Sequence, residues 1–432
     1  MPKLLIKNGR VIDPASKIDG VMDVLISDGK VVEVKQKISE NDCKVIDASK
    51  KAVVPGMIDV HTHLREPGHE EEETIATGTR AAAKGGVTSI LCMPNTHPPL
   101  DNAPAVEFVL LKAQKEGLVN VYPIGCITKN SDGEELAEIG VLKKAGVIAI
   151  SDDGNPVMNA QVMRRALEYT KMFNLPVISH CEDLNLSKNG VIHEGHMSMV
   201  LGLRGIPSQS EEVMISRDIM LADLTGGHLH IAHVSTAGAV DLIREAKKKK
   251  INVTAETCPH YFSLTDEAVK GYNTNTKMKP PLRTEEDVKA IKQGLADGTI
   301  DCIATDHAPH TIEEKNKEYD LAPFGIIGLE TLLGLVITEL VDKKVLPLAE
   351  ALAKMTVNPA GIFGLSGKGA LKPGNDADIT IIDLDKEYNI KESEFMSKSK
   401  NSPFIGWKLK GFAEITIVGG KVVWPLNEKT KS

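Results

Sequence analysis

From residue 57 to residue 310 the chain alternates between short apolar runs and longer stretches with helical spacing. VTSILCMPN, VNVYPIGCI, VIAISDDG, LPVISHCED, LHIAHVS, INVTAETCPH and DCIATDHAPH are brief, rich in β-branched residues, and end in polar side chains. GMIDVHTHL precedes them and has the same character. Between the runs, ETIATGTRAAAKGG, MNAQVMRRALEYTKMFN and AGAVDLIREAKKKK repeat apolar residues every three or four positions, the period of a helix with one buried face. Roughly eight strand–helix units predict an α/β fold with a parallel sheet and right-handed crossovers. Eight units fit a closed (β/α)8 barrel of the TIM type. A doubly wound open sheet is the alternative, but no GxGxxG follows an early strand.

The two ends of the chain have a different period. LLIKNGRVI, DVLISDGKVVEV and KVIDASKKAVVPG alternate apolar and polar residues, with Asn-Gly and Asp-Gly as the turns between strands. DADITIIDLD and EITIVGGKVVWP repeat this near the C-terminus, with a Gly-Gly turn. The expected organisation is therefore a β-sandwich module built from residues 1–55 and 368–432, around a barrel of residues 56–367. No internal repeat is visible. Lys247–Lys250 reads as a solvated helix end, where ammonium groups suit the negative pole of the dipole. The polar segment TIEEKNKEYDLAPFG is expected as a loop at the catalytic face, either a lid or plain surface.

Charge and composition narrow the function. Lysine and arginine number 51 against 59 acidic residues, a net charge of −8, which argues against a nucleic-acid reader. No apolar run approaches a membrane span, and MPKLLIKNGRVID has no signal-peptide core, so the cytoplasm is the expected compartment. The six cysteines are scattered without a CxxC and read as buried thiols in a reducing compartment.

The polar strand ends carry the chemistry. His61 and His63 stand two apart, so on a strand they face one side, where two imidazoles suit a divalent metal. Asp152 and Asp153, His180, His233, and Asp306 with His307 also fall where predicted strands stop, and His310 follows. In a barrel these ends meet at one mouth. Four histidines and two carboxylates exceed the needs of one zinc. Two ions bridged by a carboxylate and a hydroxide would use them all, with a further carboxylate to shuttle a proton. Zinc suits the donors, and so do manganese and cobalt. Arg65, on the same alternating face, suits capture of a carboxylate, and Asn95 offers a donor and an acceptor. His310 adds a donor near the loop. The expected substrate is a small anion with a hydrolysable carbonyl.

Taken together, PGMIDVHTHLREPG, MPNT, SDDG, SHCED, AHVST, TCPHY, PPLR, TDHAPH and APFGIIGLE resemble the dihydroorotases of the amidohydrolase superfamily, nearly end to end. The resemblance implies zinc-dependent, reversible cyclisation of N-carbamoyl-L-aspartate to L-dihydroorotate in de novo pyrimidine (UMP) synthesis, with one or two Zn2+ per chain. It places His61 and His63 on one metal and His180 and His233 on the other. It implies an aspartate, Asp153, where other superfamily members carry a carboxylated lysine. Asp306 is implied as both metal ligand and general base and acid, as a metal hydroxide attacks the ring amide carbonyl. The implied substrate residues are His63, Leu64, Arg65, Asn95, His310, Phe324 and Gly325. The family usually has asparagine before PPLR. Here Lys279 stands in that place and is included as a substrate residue.

Allantoinases and hydantoinases share the metal residues but are not expected to combine HLREPG with MPNT. A non-catalytic subunit that scaffolds aspartate transcarbamoylase typically loses metal histidines, and none is lost here. A homo-oligomer is expected, and an active complex with aspartate transcarbamoylase is compatible with the resemblance.

Overall fold

The two strand-rich ends of the chain meet in one sheet in the computed structural model, which describes residues 3–426. Residues 1–2 and 427–432 of the expected terminal module lie outside the described residues. The N-terminal strands are β1 (Lys3–Asp13), β2 (Ile18–Ser27), β3 (Lys30–Lys35), β4 (Cys43–Asp47) and β5 (Ala52–Pro55). Three C-terminal strands, Ile379–Asn389, Lys408–Val418 and Lys421–Trp424, complete the sheet. The seam is antiparallel pairing of β5 with Ile379–Asn389, so residues more than 320 positions apart share one ladder. Leu4, Ile6, Val11, Val24, Ile26, Val53, Ile379 and Ile381 form the core of this module.

Two of its three turn signals act as expected. Asp28 and Gly29 have φ of 51° and 77°, and Gly419 and Gly420 have 52° and 76°. Left-handed conformation at both central residues is the type I′ turn that matches strand twist. The Asn8-Gly9 signal differs. It lies inside β1 as a register shift between Ile6 and Gly9, and β1 pairs with β2 on both sides of it. A Cβ on Gly9 would come within 2.4 Å of Val53 Cγ2, so close approach of β5 explains the glycine there.

The middle of the chain closes into a ring of eight parallel strands. Met57–Thr62 (β6), Val87–Cys92 (β7) and Asn120–Pro123 (β8) form one sheet. Ile150–Ser151 (β9), Val177–Ser179 (β10), Leu229–Ile231, Val253–Thr257 and Cys302–Ile303 form the other. Single parallel bridges, Gly125 with Ile150 and Thr62 with His307, join the two sheets at both seams. Each strand is followed by a helix before the next, as the alternating pattern predicts. Ile75–Gly85 shows why: Thr74 caps its start with a capping box to Thr77, and Gly86, at φ 85°, ends it. Lys247 and Lys248 do close the helix Ala237–Lys248.

Ile58, Val60, Leu91, Ile124, Ile178 and Cys302 fill the barrel interior, with Phe363 and Leu365 packed against them. A larger apolar layer, including Ile90, Val177, Leu229, Ile215 and Ile243, lies between the strands and the helices. With apolar groups occupying both layers, the polar strand ends are left at the mouth.

Candidate metal centre and substrate cavity

The end of β6 is tied across the seam before any ligand is placed. The buried Asp59 carboxylate accepts from the backbone N–H of His61 (3.2 Å), and from the N–H (3.1 Å) and hydroxyl (2.5 Å) of Thr305. Burial pushes this carboxyl up to about 6. The arrangement brings His61 and His63 beside Asp306.

Six buried side chains converge there. His61 Nε2 lies 3.4 Å from Asp153 Oδ1 and 3.5 Å from Asp306 Oδ1. His63 Nε2 lies 3.1 Å from Asp306 Oδ1 and 3.5 Å from Asp153 Oδ2. His180 Nδ1 and His233 Nε2 are each 3.5 Å from Asp153 Oδ1, and 2.8 Å from each other. Two trios, His61 with His63 and Asp306, and His61 with Asp153 and His233, each have donor atoms within 4.8 Å of one another. The backbone is strained at two of these residues, with φ of 33° at His233 and 49° at Asp306.

Acceptors outside the cluster set the imidazoles. Glu256 Oε1 lies 2.6 Å from His61 Nδ1, Asn95 Oδ1 lies 2.8 Å from His63 Nδ1, and Glu182 Oε2 lies 3.0 Å from His180 Nε2. The outer nitrogens of His61, His63 and His180 thus have acceptors to donate to, which suits their inner nitrogens to a metal, whereas the outer Nδ1 of His233 has no partner. The inner His61 Nε2 and Asp153 Oδ1 are buried without a hydrogen-bond partner. Lone pairs aimed at shared points, with two carboxylates between them, fit divalent cations.

The charges follow the same geometry. Burial opposes ionisation of Asp153 and Asp306, but the facing imidazoles outweigh it and hold both carboxyls below their ordinary range. Burial likewise opposes protonation of His61 and His180. The carboxylates around them prevail, raising His61 well above its usual value and His180 to about 9. Glu256 and Glu182 are carried down to about 2 by their histidines, against their burial.

A cavity of about 350 Å³ opens above the cluster. His63, Arg65, Asn95, Lys279, His310, Phe324 and Gly325 all line it. The Leu64 side chain does not. It is buried in the apolar layer behind the wall, 2.6 Å from where a Cβ on Gly78 would stand. Asn95 spends its oxygen on His63, which leaves its amide N–H2 as a donor. Lys279 Nζ pairs with Glu182 Oε1 at 3.0 Å and lies 4.9 Å above the Phe324 ring.

Neighbouring candidates separate cleanly. Asp153 faces the cluster, while Asp152 turns to the loop after β8 and accepts from Ile127 N (2.8 Å) and Thr128 N (3.2 Å). His307 turns outward, with Nδ1 accepting from Gly328 N at 3.1 Å. Cys181 and Cys258 are buried thiols whose pKa burial raises, and neither belongs to a ligand trio. Of the six cysteines, all free, only Cys43 is partly exposed.

Arg65 reaches the cavity by a route that strand alternation does not describe. β6 stops at Thr62, and Arg65 has φ 62°, so a left-handed turn aims it. The carboxylates Glu256, Glu182 and Glu72 are missing from the sequence reading. Glu182 lies inside SHCED and Glu256 inside INVTAETCPH, but no local spacing signals their function.

A profile of the family described as dihydro-orotase-like matches residues 50–239, and one described as amidohydrolase family matches residues 326–424. The chain is 68% identical over 422 residues to a dihydroorotase of Endomicrobium trichonymphae, covering 98% of this chain and 99% of that protein. It is 60% identical to a dihydroorotase of Pelotomaculum thermopropionicum, covering 98% of each. Among solved structures, the L-hydantoinase (dihydropyrimidinase) of Arthrobacter aurescens matches with a TM-score of 0.89 at 28% identity, covering 98% of this chain and 96% of that one. A dihydropyrimidinase of Brevibacillus agri matches with a TM-score of 0.86 at 25% identity, covering 97% and 94%. The fold is thus common to several cyclic-amide hydrolases, whereas identity of 68% along nearly the whole chain is not, and this protein belongs to the dihydroorotase family of the amidohydrolase superfamily.

Proposed function

We propose that this chain catalyses the reversible interconversion of N-carbamoyl-L-aspartate and L-dihydroorotate in pyrimidine synthesis. The observation that carries this reading is one cavity with a metal-ligand cluster as its floor and Arg65, Asn95 and His310 on its wall. His61 and His63 would hold one ion and His180 and His233 a second, with Asp153 between them and Asp306 alongside. Imidazole and carboxylate donors suit zinc. When bound, the metal supplies Lewis-acid polarisation of the amide carbonyl and a more acidic water.

Asp306 then moves the proton. Its Oδ1, beside His63, accepts a proton from the attacking water and delivers it to the leaving amide nitrogen. Ring closure is the same path in reverse. Arg65 and the Asn95 amide hold the substrate carboxylate, and His310 assists. Lys279 adds a second cation to the cavity. Phe324 and Gly325 close the wall, and Leu64 contributes by anchoring the backbone between His63 and Arg65.

The cytoplasm is the proposed compartment, in keeping with six free thiols. Among the described residues, no helix is long and apolar enough to cross a membrane. A homo-oligomer and a complex with aspartate transcarbamoylase are the proposed assemblies, each checked by sedimentation of the chain alone and with that partner. The central test is turnover of L-dihydroorotate by the zinc-reconstituted chain, with allantoin and hydantoin as comparisons. Selective turnover of dihydroorotate is expected. Preference for either comparison substrate would overturn the reading.

A further inference from the structure

The acidic run Glu70–Glu73 is not a uniform solvated face. Glu70 and Glu71 are exposed, whereas Glu72 and Glu73 are buried. Glu73 is used structurally, beside His307 and Ser397. Glu72 meets two side chains of the substrate wall instead, Arg65 and His310. Its Oε2 lies 2.7 Å from Arg65 Nε, and its Oε1 lies 3.2 Å from His310 Nδ1. Arg65 Nη2 and His310 Nε2 are themselves 3.3 Å apart, which closes a three-membered cluster.

We propose that Glu72 is the positioning residue of the substrate wall, one carboxylate that sets the aim of both Arg65 and His310. The inference rests on the reading of Arg65 and His310 as substrate-binding groups. Three observations support it. First, Arg65 leaves β6 through a left-handed turn, so its backbone conformation alone does not aim a long side chain. Second, its Nε–H donates to the Pro309 carbonyl at 3.1 Å with Glu72 Oε2 paired beside it, and Nη2 meets His310, so Nη1 and the open side of Nη2 are what Arg65 presents to a ligand carboxylate. Third, Glu72 is itself fixed: its N–H donates to the His69 carbonyl (3.0 Å), and its own carbonyl accepts from the Ser399 hydroxyl (2.7 Å).

Glu72 is also ionised. Burial opposes its charge, but His310 and Arg65 outweigh this and lower its pKa. Glu72, His310 and Glu314 have donor atoms close enough to suggest a metal site. However, the guanidinium already occupies the cationic position beside Glu72, so the trio serves Arg65.

The test compares Glu72→Gln, Arg65→Ala and the double variant in the metal-loaded full-length chain, by KM and kcat for dihydroorotate, bound metal and melting temperature. Glu72→Gln is expected to raise KM by roughly tenfold or more, the scale of a lost charged hydrogen bond. kcat, metal content and melting temperature should stay near those of the unaltered chain. In the Arg65→Ala background the same change should have less effect on KM, because one of its two targets is gone. Unchanged KM in Glu72→Gln, with raised KM in Arg65→Ala, would overturn the role of Glu72 and leave the reading of Arg65 intact. Unchanged KM in both would overturn the reading of Arg65 itself. Parallel loss of metal and melting temperature in Glu72→Gln would overturn positioning in favour of a structural role.

Discussion

The floor of the cavity and its wall hold their side chains by different means. The floor is made where barrel strands end. His61, His63, Asp153, His180, His233 and Asp306 sit on or just beyond strands whose backbones are locked into parallel ladders. Carboxylates and an amide behind them set the imidazoles of His61, His63 and His180. The wall comes mainly from the loops after β6 and after Cys302–Ile303, with Asn95 from the loop after β7 and Lys279 from the segment after Val253–Thr257. Side chains help to hold its backbone: Lys315 Nζ donates to the carbonyls of Pro323 and Gly325, both at 2.9 Å, and Lys277 Nζ to that of Ala322 at 2.6 Å. Burial pushes these two ammonium groups down, to about 7 for Lys315 and about 8 for Lys277. The floor thus carries the reaction on a rigid frame, and the wall carries recognition on loops that side chains help to hold in place. Floor substitutions should act on turnover or metal. Wall substitutions should act on KM.

The sharpest way to break this division is Asp306→Ala. Loss of a proton-transferring group costs roughly 10²–10⁴-fold in kcat. Much of the metal should remain, since five other donors are intact, and metal analysis beside steady-state kinetics checks both halves. Near-normal turnover would remove Asp306 from proton transfer.

A smaller effect is expected one layer out. Glu256→Gln keeps the shape but weakens the anchor of His61, and such changes typically cost about 10–100-fold in metal affinity. A competitive chelator titration would measure it. An unchanged affinity would mean that the barrel alone orients His61.

The smallest effect is a proton count. His180 is raised to about 9 and His61 is raised well above its ordinary value, so both are protonated in the metal-free chain at neutral pH. A metal must displace those protons. Zinc binding should therefore release protons near pH 7, affinity should fall as pH falls, and the release from His180 should shrink as pH rises through about 9. Calorimetry in buffers of different ionisation enthalpy reads this directly. Zinc binding without proton release would contradict the charge arrangement of the floor.

Legibility divides along the same line. The floor histidines were visible because a strand of period two and an apolar run with a polar end are local signals. Residue pattern alone did not separate Asp153 from Asp152, because β9 has only two residues and the chain turns at once; the family resemblance pointed to Asp153. Arg65 shares the cavity with His63, but its positive φ, not the strand alternation expected from the sequence, delivers it there. Asn8-Gly9 looked like a turn and became a bulge, because β2 continues to pair beyond it and β5 needs the space above Gly9.

What the sequence determined by itself is therefore whatever depends on neighbours along the chain: the eight strand–helix units, the β-rich ends, the caps of helices, and the ligand types at strand ends. Only the tertiary structure decided which carboxylates stand behind which histidines and behind Arg65. Glu256 is 195 positions from His61, and Glu72 is 238 from His310. No periodicity spans such distances, because closing the barrel, not local conformation, brings those atoms within hydrogen-bond reach.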